Sequence, residues 1–455
     1  MEQKDLRSYL QLLKEQGELV EVEEEIDPRF EITALLKEVL GEQSGPAVLF
    51  KNIRGYPGKN LTGNLLASRK KMALTLDGRV DELRDTYLQK RFASLEPETW
   101  KGPAPAQEEI LQEIDLFSFL PAPMFHEGDA GHYLTAGVLM AEDPDSGHIN
   151  TGIHRLQLKG RNKLGVFLSS PPLSNYFVKA EERGEPLQVA VALGLHPAEL
   201  LAAAVTLKEG MKSKIHLAGG LAGRPLPLVK AKSIDLMVPA LAEIILEGKV
   251  LPGIREPEGP FGESTGYYFQ NESPVIEVEA ITSRKDPILS VIPPWGIETD
   301  IILSTFSGAE IWQELQNHTK GVLDVAFLPG SLTFQGIIQV DSTLSREEIR
   351  RIIHLSLNVD KRLKHVIVVD EDVDIHNLRE VMWALGTRFQ GHRDIVSLYE
   401  LEGYVIDPSV EDRKTTKLGL DATARPEGPW EERYRRISLP GEAVAKARKI
   451  LEYEQ

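Results

Sequence analysis

The chain has 455 residues, with 52 Lys and Arg, 69 Asp and Glu and no cysteine, so its formal net charge at pH 7 is −17. The absence of cysteine excludes disulfide bonds, thiolate metal sites, iron–sulfur clusters and a cysteine nucleophile. An acidic chain without a stripe of Lys or Arg repels phosphate backbones, so we expect no nucleic-acid partner. A site for an acidic substrate must therefore supply its own positive charge.

The hydropathy pattern is that of a globular protein without a membrane segment. Apolar residues make up 42 % of the chain and charged residues 27 %. No run of about 18 apolar residues occurs that could cross a bilayer. Residues 1–25 are charged and lack the apolar core of a signal peptide. We therefore expect a cytoplasmic protein with no membrane partner.

The first third of the chain predicts helices, a strand and a connector. Apolar residues recur three and four apart in residues 4–16 and 31–40, which predicts amphipathic helices. Residues 47–50 have a strand pattern. Residues 87–107 are polar and rich in Pro, Glu and Gln, which predicts a connector and a domain boundary near residue 115.

The pattern changes to short β-like runs between residues 135 and 310. These runs are separated by Gly- and Pro-rich turns, and one helical insertion is predicted at 199–204, which together favour a small barrel or sandwich. From residue 320 onward, strand and helix patterns alternate, as is typical of an α/β layer. The predicted strands are 332–339 and 365–369, the helices 346–355 and 377–385. A last helix, 442–453, is a candidate arm for packing against another subunit.

Residues 257–268, PEGPFGESTGYY, carry the strongest chemical pattern. Three glycines and two prolines exclude a regular helix and predict a rigid loop. Glu258 and Glu263 lie on it, and carboxylates on a rigid loop suit acid–base catalysis. Two solvated glutamates on a tight loop explain the spacing equally well.

Residues 150–157, NTGIHRLQ, place an amide, a hydroxyl, an imidazole and a guanidinium on a predicted strand. Because side chains alternate along a strand, two faces are expected, one with Thr151, Ile153 and Arg155, the other with Asn150, Gly152 and His154. An arginine that faces a cavity could bind a carboxylate through two parallel hydrogen bonds. Taken alone, an edge strand with an exposed arginine explains the segment better.

Three further patterns have structural explanations that we favour. Residues 238–248 predict a helix with Glu243 and Glu247 on one face, which fits a solvated acidic face, or ion pairs with Lys230 or Lys232, better than a metal site. The acidic run 370–374 lacks the glycine and distal glutamate of a calcium loop, so it predicts a strand end and a helix cap. GESTG at 262–266 fits the GxSxG pattern, but no helical pattern follows it, so a nucleophilic serine is not expected.

Five segments in order resemble the UbiD family of decarboxylases, and they span roughly residues 145–385. They are NTGIHRLQLKGRNKLG, VAVALGLHPAELLAAA, LVKAKSIDLMVPALAEIILEGKV, PEGPFGESTGYY and VVDEDVDIHNLREVMWAL. The combination of PEGPFGE with VPAxAEIxLEG is highly specific for this family. Agreement of five ordered segments by chance is very improbable.

The resemblance implies a mixed α/β (α+β) fold in three parts. An N-terminal α/β domain would cover residues 1–115, a central split β-barrel of the flavin-reductase type 116–312, and a C-terminal α/β oligomerisation domain with a terminal helix 313–455. The barrel would hold prenylated FMN, supplied by a flavin prenyltransferase. The implied activity is reversible decarboxylation of an aromatic or α,β-unsaturated carboxylic acid by a homodimer or higher homo-oligomer.

The resemblance also assigns the site residues. By motif position the catalytic residues are Arg155, Glu258 and Glu263, with Glu263 as the proton donor to the product carbon. Burial and the nearby Glu258 carboxylate are expected to raise the pKa of Glu263, so that it holds a proton near neutral pH. The cofactor is expected to lie against Asn150, Thr151, Ile153, His154, Arg155, Phe167, Leu168, Ser169, Ser170 and Lys214.

The sequence departs from the family at the flavin phosphate, which members usually bind through a divalent metal held by Asn, His and Glu. Asn150 fits the first ligand, but no histidine occurs at 168–171, and Lys214 occupies the glutamate's position. We therefore expect no metal, and expect the Lys214 ammonium to neutralise the phosphate, with His216 able to assist. The alternative is a non-catalytic paralogue, or a subunit of a multi-subunit carboxylase or decarboxylase, without bound flavin.

Trp295, in the segment PPWGIE, lies where family members place residues near the substrate. Its indole could stack on an aromatic substrate. A tryptophan packed into a domain junction explains the segment equally well.

Overall fold

The computed structural model describes residues 4–41, 44–168, 170–207, 211–424 and 436–452. The α-helices in these ranges are α1 (Leu6–Glu15), α2 (Glu31–Glu38), α3 (Arg69–Thr75), α4 (Leu83–Phe92), α5 (Leu116–Phe119), α6 (Leu173–Glu182), α7 (Pro197–Ala204), α8 (Lys214–Ala222), α9 (Ile297–His318), α10 (Arg346–Val359), α11 (Leu378–Arg388), α12 (Gly391–Asp394) and α13 (Gly441–Glu452).

The strands are β1 (Leu19–Val22), β2 (Ala47–Phe50), β3 (Asn60–Gly63), β4 (Glu98–Thr99), β5 (Glu109–Ile110), β6 (Tyr133–Leu134), β7 (Val138–Glu142), β8 (Ile149–Ile153), β9 (Leu156–Leu158), β10 (Lys163–Val166), β11 (Leu187–Leu193), β12 (Pro227–Lys230), β13 (Met237–Pro239), β14 (Ile244–Gly262), β15 (Tyr268–Ser283), β16 (Ile288–Ser290), β17 (Val322–Phe327), β18 (Gln335–Val340), β19 (His365–Asp370), β20 (Ile395–Glu402) and β21 (Lys414–Asp421).

The N-terminal part is a small α/β layer. Helix α1 begins at a capping box in which Asp5 accepts from the Ser8 amide and Ser8 accepts from the Asp5 amide, so two unpaired donors of the first turn are satisfied. Its apolar stripe, which includes Leu6 and Leu13, is fully buried. The sheet has the order β1-β2-β3-β16, and β16 ties this layer to a distant part of the chain.

The central part is a curled sheet of half-barrel form, with the order β6-β9-β10-β15-β14-β11-β7-β8. Strands β14 and β15 form a long antiparallel hairpin, and β11 and β7 extend the sheet antiparallel to β14. Helices α7 and α8 pack on each other and against β8. Apolar side chains from the two sheets and these helices form two large buried clusters.

The C-terminal part is an α/β layer with the strand order β17-β18-β19-β21-β20, in which β18, β19 and β21 run parallel. Separate apolar clusters, one with residues of α10 and one with residues of α11, lie against this sheet. The predicted fold class is confirmed: a mixed α/β fold with a central curled sheet. Residue 312, at the second predicted domain boundary, lies within α9, and the boundaries stay predictions.

Several predicted elements are wrong in type or extent. Residues 238–248 form no helix, because β13 ends at Pro239 and β14 begins at Ile244. A four-residue spacing fits the two-residue period of a strand as well as a helix. Residues 257–262 belong to β14 rather than to a loop, and the predicted connector begins inside α4. Helices α3, α4, α5, α6, α8, α9 and α12 were not predicted.

The two carboxylates of the mispredicted helix, Glu243 and Glu247, make buried ion pairs and hydrogen bonds. Glu243 has no exposed surface and binds Arg7 and Arg284. Glu247 accepts from the backbone amides of Lys232 and Ser233 rather than from a lysine ammonium. Neither carboxylate is therefore solvated, and both hold the chain around the central sheet.

No helix in the described part of the chain combines the length and the apolar character that a membrane crossing needs.

Candidate active site

Arg155 is placed between β8 and β9, where it links two carboxylates. Its Nε donates to Oε1 of Glu258 at 3.0 Å, and its Nη2 donates to Oε2 of the same group. Its Nη1 forms an ion pair with Oε1 of Glu263. The three predicted catalytic residues therefore form one buried cluster, with side-chain exposures of 7 % for Arg155, 0 % for Glu258 and 12 % for Glu263.

An irregularity in β14 brings Glu258 inward. The pairing of β14 with β15 shifts register between Glu258 and Phe261, as at a β-bulge. Gly259 there has a φ of +95°, and a Cβ would come within 2.6 Å of the Phe269 carbonyl oxygen. A Cβ on Gly165 of β10 would come within 3.3 Å of Cγ of Glu258. Glycine at positions 259 and 165 avoids both close contacts and leaves space for the Glu258 side chain.

Three phenylalanine rings surround the guanidinium. The Arg155 Cζ lies 4.6 Å from the ring centroid of Phe167, 5.1 Å from that of Phe261 and 5.4 Å from that of Phe269. Such contacts attract a cation and exclude water, which strengthens the ion pairs. Sequence reasoning found Phe167 but gave no role to the other two, although Phe261 lies within the PEGPFGE motif and Phe269 follows it.

The turn that carries Glu263 is anchored from the segment before β6. The Asp129 carboxylate accepts from the backbone amides of Gly262 and His126, each at 2.8 Å. The Tyr268 hydroxyl accepts from the amide of Gly128 at 2.9 Å. Asp129 has a structural role that no motif in the sequence indicated.

A cavity of about 720 Å³ opens beside Arg155 and Glu263. Residues 151–155 all line it. Thr151 and Ile153 share the predicted face and Gly152 has no side chain, whereas His154 lies beyond the end of β8, where the alternation of faces stops. One wall is apolar and is formed by Ile292, Pro294, Ile302, Leu303 and Phe306. The rim comes from the C-terminal layer and is formed by Asn358, Val359, Asp360, Lys361, Arg362, Tyr404, Val405 and Ile406. Sequence reasoning missed this wall and this rim.

Another part of the cavity wall carries a buried cation. Lys214 is the first residue of α8, is 7 % exposed, and donates from Nζ to the Ala203 carbonyl oxygen at 2.8 Å. Burial lowers the pKa of Lys214 to about 8. His154 also lines the cavity, and burial, with a smaller contribution from Lys214, lowers its pKa to about 4. At neutral pH this part of the wall therefore has a lysine cation and a neutral imidazole.

Of the remaining predicted cofactor residues, some line the cavity and others do not. Thr151, Ile153, Phe167 and Ser170 line the cavity. Asn150 is buried behind it and accepts from the Thr151 amide. Leu168 packs against the core, and Ser169 lies outside the described residues.

Two other candidates face away from the cavity. The ring of His216 lies between Ser213 and Glu96, with its Nε2 2.8 Å from the Glu96 carboxylate, so it does not assist Lys214. Trp295 is 59 % exposed, with the Lys37 ammonium 5.2 Å from its ring centroid, and a Cβ on Gly266 would come within 3.3 Å of the ring. It is the neighbouring Pro294 that contributes to the cavity wall.

Comparison with known protein families assigns the chain to a family. The family model described as 3-octaprenyl-4-hydroxybenzoate carboxy-lyase Rift-related domain matches residues 98–296, and the corresponding N-terminal and C-terminal domain models match residues 10–90 and 300–422. The chain belongs to the UbiD family. It is therefore a carboxy-lyase of the UbiD type, and the resemblance inferred from its motifs is confirmed.

Relatives within the UbiD family match over nearly the full chain. Phenolic acid decarboxylase of Bacillus subtilis (strain 168) is 33 % identical over 449 residues, which cover 93 % of each chain. The UbiD-class enzyme HmfF from Pelotomaculum thermopropionicum, solved in complex with FMN, superposes with a TM-score of 0.91 and 36 % identity over 97 % of this chain and 98 % of that one. An evolved dimeric form of HmfF in complex with prFMN superposes with a TM-score of 0.87 and 35 % identity over 97 % of this chain and 98 % of that one. These similarities support a flavin cofactor.

The residues of the cavity fit a flavin but not the usual metal. Apolar walls suit an aromatic ring system, and the buried Lys214 suits a phosphate. Across the described residues, no three His, Asp or Glu side chains are grouped as metal ligands. A lysine ammonium at position 214 would repel a divalent ion.

Proposed function

We propose that this UbiD-family enzyme decarboxylates an aromatic or α,β-unsaturated carboxylic acid, reversibly, with prenylated FMN bound in the 720 Å³ cavity. The observation that carries the proposal is the position of Arg155, beside the cavity and between two carboxylates. The phenolic acid decarboxylase relative and the HmfF structure with prFMN support both the substrate class and the cofactor. A flavin prenyltransferase is the proposed cofactor source.

Arg155 provides the positive charge for the substrate carboxylate. Its Nε and Nη2 are occupied by Glu258, whereas Nη1 faces Glu263 at the cavity wall. A substrate carboxylate that binds at Nη1 displaces Glu263 from its ion pair. Glu258 keeps the guanidinium oriented during this exchange, because two hydrogen bonds fix the plane of the group.

Glu263 delivers the proton. Once it is displaced, it no longer pairs with the guanidinium, and the substrate carboxylate and Glu258 nearby favour its protonated form. The flavin, when bound, supplies the electron-accepting group that allows the bond to the carboxylate carbon to break. Carbon dioxide leaves, Glu263 transfers one proton to the remaining carbon, and solvent reprotonates Glu263.

The apolar wall restricts the body of the substrate. Ile302, Leu303 and Phe306 of α9 line the cavity. Such a wall accepts an aromatic or alkenyl group and gives no partner to a second charge at that place. The substrate we propose therefore has a single carboxylate near Arg155 and an apolar ring or chain against α9.

The test is an assay of carbon dioxide release from a panel of phenolic, benzoic, furoic and cinnamic acids. The protein is purified after co-expression with a flavin prenyltransferase, and its flavin content is measured first. We expect turnover of at least one acid. Flavin-loaded protein that releases no carbon dioxide from any of them would contradict the proposed substrate class.

A further inference from the structure

One buried carboxyl group close to the cavity has no role in this reaction. Glu199 lies in the first turn of α7 and is 7 % exposed, and its Oε2 has no hydrogen-bond partner among the described residues. Burial of a polar group without a partner is costly. Burial also raises the pKa of Glu199 to about 8, so the group is protonated at neutral pH.

Glu199 faces a small second cavity. Its volume of about 10 Å³ is close to the smallest space that holds one water molecule. Three polar side chains line it, those of Thr151, Glu199 and Lys214, and its other walls are apolar. Thr151 and Lys214 also line the large cavity. The small cavity therefore lies directly behind the proposed phosphate site.

Two other charged groups act on Glu199, and each has a contact of its own elsewhere. Arg224, beyond the end of α8, favours the ionised form of Glu199, and Asp5, before α1, opposes it. Arg224 donates to the Lys4 carbonyl oxygen, and Asp5 is paired with Arg284. Their influences on Glu199 have opposite signs.

Two histidines near this place stay neutral. His196, which caps α7, has its pKa lowered to about 3 by burial, and His154, beside Lys214, has its pKa lowered to about 4. Glu199 and Lys214 have pKa values of about 8. They are the pair around the small cavity whose protonation can change just above neutral pH.

We propose that Glu199 is the positioning residue of the Lys214 phosphate site and acts on the ammonium through one water molecule in the small cavity. The inference rests on the proposed flavin site. When Glu199 is protonated, the Lys214 ammonium is free to bind a phosphate. When Glu199 is ionised, its carboxylate holds the ammonium and repels the phosphate. Phosphate binding above neutral pH is therefore linked to uptake of one proton from solvent by the Glu199 carboxylate.

The experiment compares FMN with riboflavin, which lacks the phosphate, on the full-length protein without cofactor. Quenching of flavin fluorescence gives both affinities between pH 7 and 9.5, and their ratio isolates the phosphate contribution. We expect this ratio to fall about 10-fold in the wild type, because a tenfold change corresponds to one pKa unit of differential interaction. In Glu199→Gln no carboxylate can form, so the ratio at pH 9 should exceed that of the wild type about 3-fold or more.

Lys214→Arg is the matched variant, because arginine keeps a cation that does not titrate in this range. In Lys214→Arg the ratio of FMN affinity to riboflavin affinity should still fall as the pH rises. In the double variant with Glu199→Gln this ratio should no longer depend on pH. If the ratio of FMN affinity to riboflavin affinity is the same for Glu199→Gln and the wild type at every pH, the role of Glu199 is overturned. The proposed phosphate site at Lys214 is not affected by that result. Absence of FMN binding to the wild type would overturn both the role of Glu199 and the proposed flavin site.

A second measurement decides the matter if Glu199→Gln does not fold. Calorimetric titration of Lys214→Arg with FMN at pH 8.5, in two buffers of different ionisation enthalpy, gives the number of protons taken up. Uptake approaching one proton supports Glu199 as the acceptor, since the arginine stays charged. Zero uptake would overturn the proposal.

Discussion

Arg155 and Glu258 form a forked ion pair inside the protein. Nε and Nη2 of the guanidinium both donate to the carboxylate, and Glu258 has no exposed surface. Removal of one partner from such a buried pair typically costs about 3–5 kcal/mol, because the remaining charge is left without compensation. The pair therefore fixes Arg155 in one orientation and leaves Nη1 toward Glu263 and the cavity.

Arg155→Lys should keep the positive charge but lose the two parallel hydrogen bonds to Glu258. We expect a folded protein whose turnover is lower by about 10²-fold or more, because a small misplacement of a positioning group has effects of that size. Arg161→Lys is the control, since that arginine is exposed and far less constrained, with 69 % of its side chain accessible. Wild-type turnover in Arg155→Lys would show that the forked geometry is not required.

Glu263→Gln should remove the proton donor while keeping the shape of the side chain. Turnover should fall by about 10²-fold or more, the usual scale for loss of a general acid. Flavin binding, measured by absorbance after gel filtration, should remain. Glu272→Gln, at an exposed position of β15, is the control. Near-normal turnover in Glu263→Gln would rule out its assignment as the donor.

The phosphate site is predicted to work without a divalent metal. Elemental analysis of flavin-loaded protein should find no stoichiometric manganese, and activity should survive a chelator. Lys214→Glu should weaken FMN binding unless manganese is added, because two negative groups then face each other. Lys212→Glu, at an exposed lysine that pairs with Glu96, is the control. One manganese per chain would refute the metal-free site.

The chain is predicted to form a homodimer or a higher homo-oligomer through its C-terminal segment. Three large apolar side chains there are exposed, Ile437 at 95 %, Leu439 at 76 % and Ile450 at 52 %. Contiguous exposed apolar surface marks contacts with other proteins, and we expect these side chains to contribute to such a contact. Light scattering should give a mass of at least twice 50.7 kDa, and removal of residues 436–455 should lower it. A single 50.7 kDa species of the full chain at micromolar concentration would contradict this prediction.

The free energy of unfolding should fall as the pH is lowered from 6.5, partly because of His196. Its pKa is lowered from 6.5 to about 3 by burial, so the unfolded chain binds a proton that the folded chain does not. The loss from this one group should reach about 2 kcal/mol at pH 5. Asparagine at position 196 can still accept the Ala198 amide that caps α7. Urea unfolding at pH 7 and pH 5 should therefore show a smaller difference for His196→Asn, and an unchanged difference would contradict this account.

Much of the fold was accessible from the sequence, because periodicity and motif order carry local information. The strand at 47–50 and the helices near 6–15, 197–204 and 346–359 were predicted in type and nearly in extent. The failures occur where two periods coincide. A four-residue spacing suits a helix face and also the two-residue period of a strand. Glu247 lies within β14 and Glu243 directly precedes it, and both side chains are fully buried.

The cluster of Arg155, Glu258 and Glu263 was predicted as a set, but its geometry was not. The resemblance to the UbiD family implied one network of Arg155, Glu258 and Glu263, and the structure brings these side chains together. Asp129 and Phe269 were missed, because they reach the site through tertiary contacts that no local pattern encodes. The apolar wall from α9 was missed for the same reason.

The visible absorbance spectrum of the protein tests the central claim most directly, since it does not depend on knowing the substrate. The claim is that the cavity beside Arg155 and Lys214 binds a prenylated flavin. Protein purified after co-expression with a flavin prenyltransferase should be coloured, with about one flavin extracted per chain, and replacement of Lys214 by Glu should reduce that amount. A colourless wild-type preparation, with no flavin in the extract under those conditions, would contradict the account.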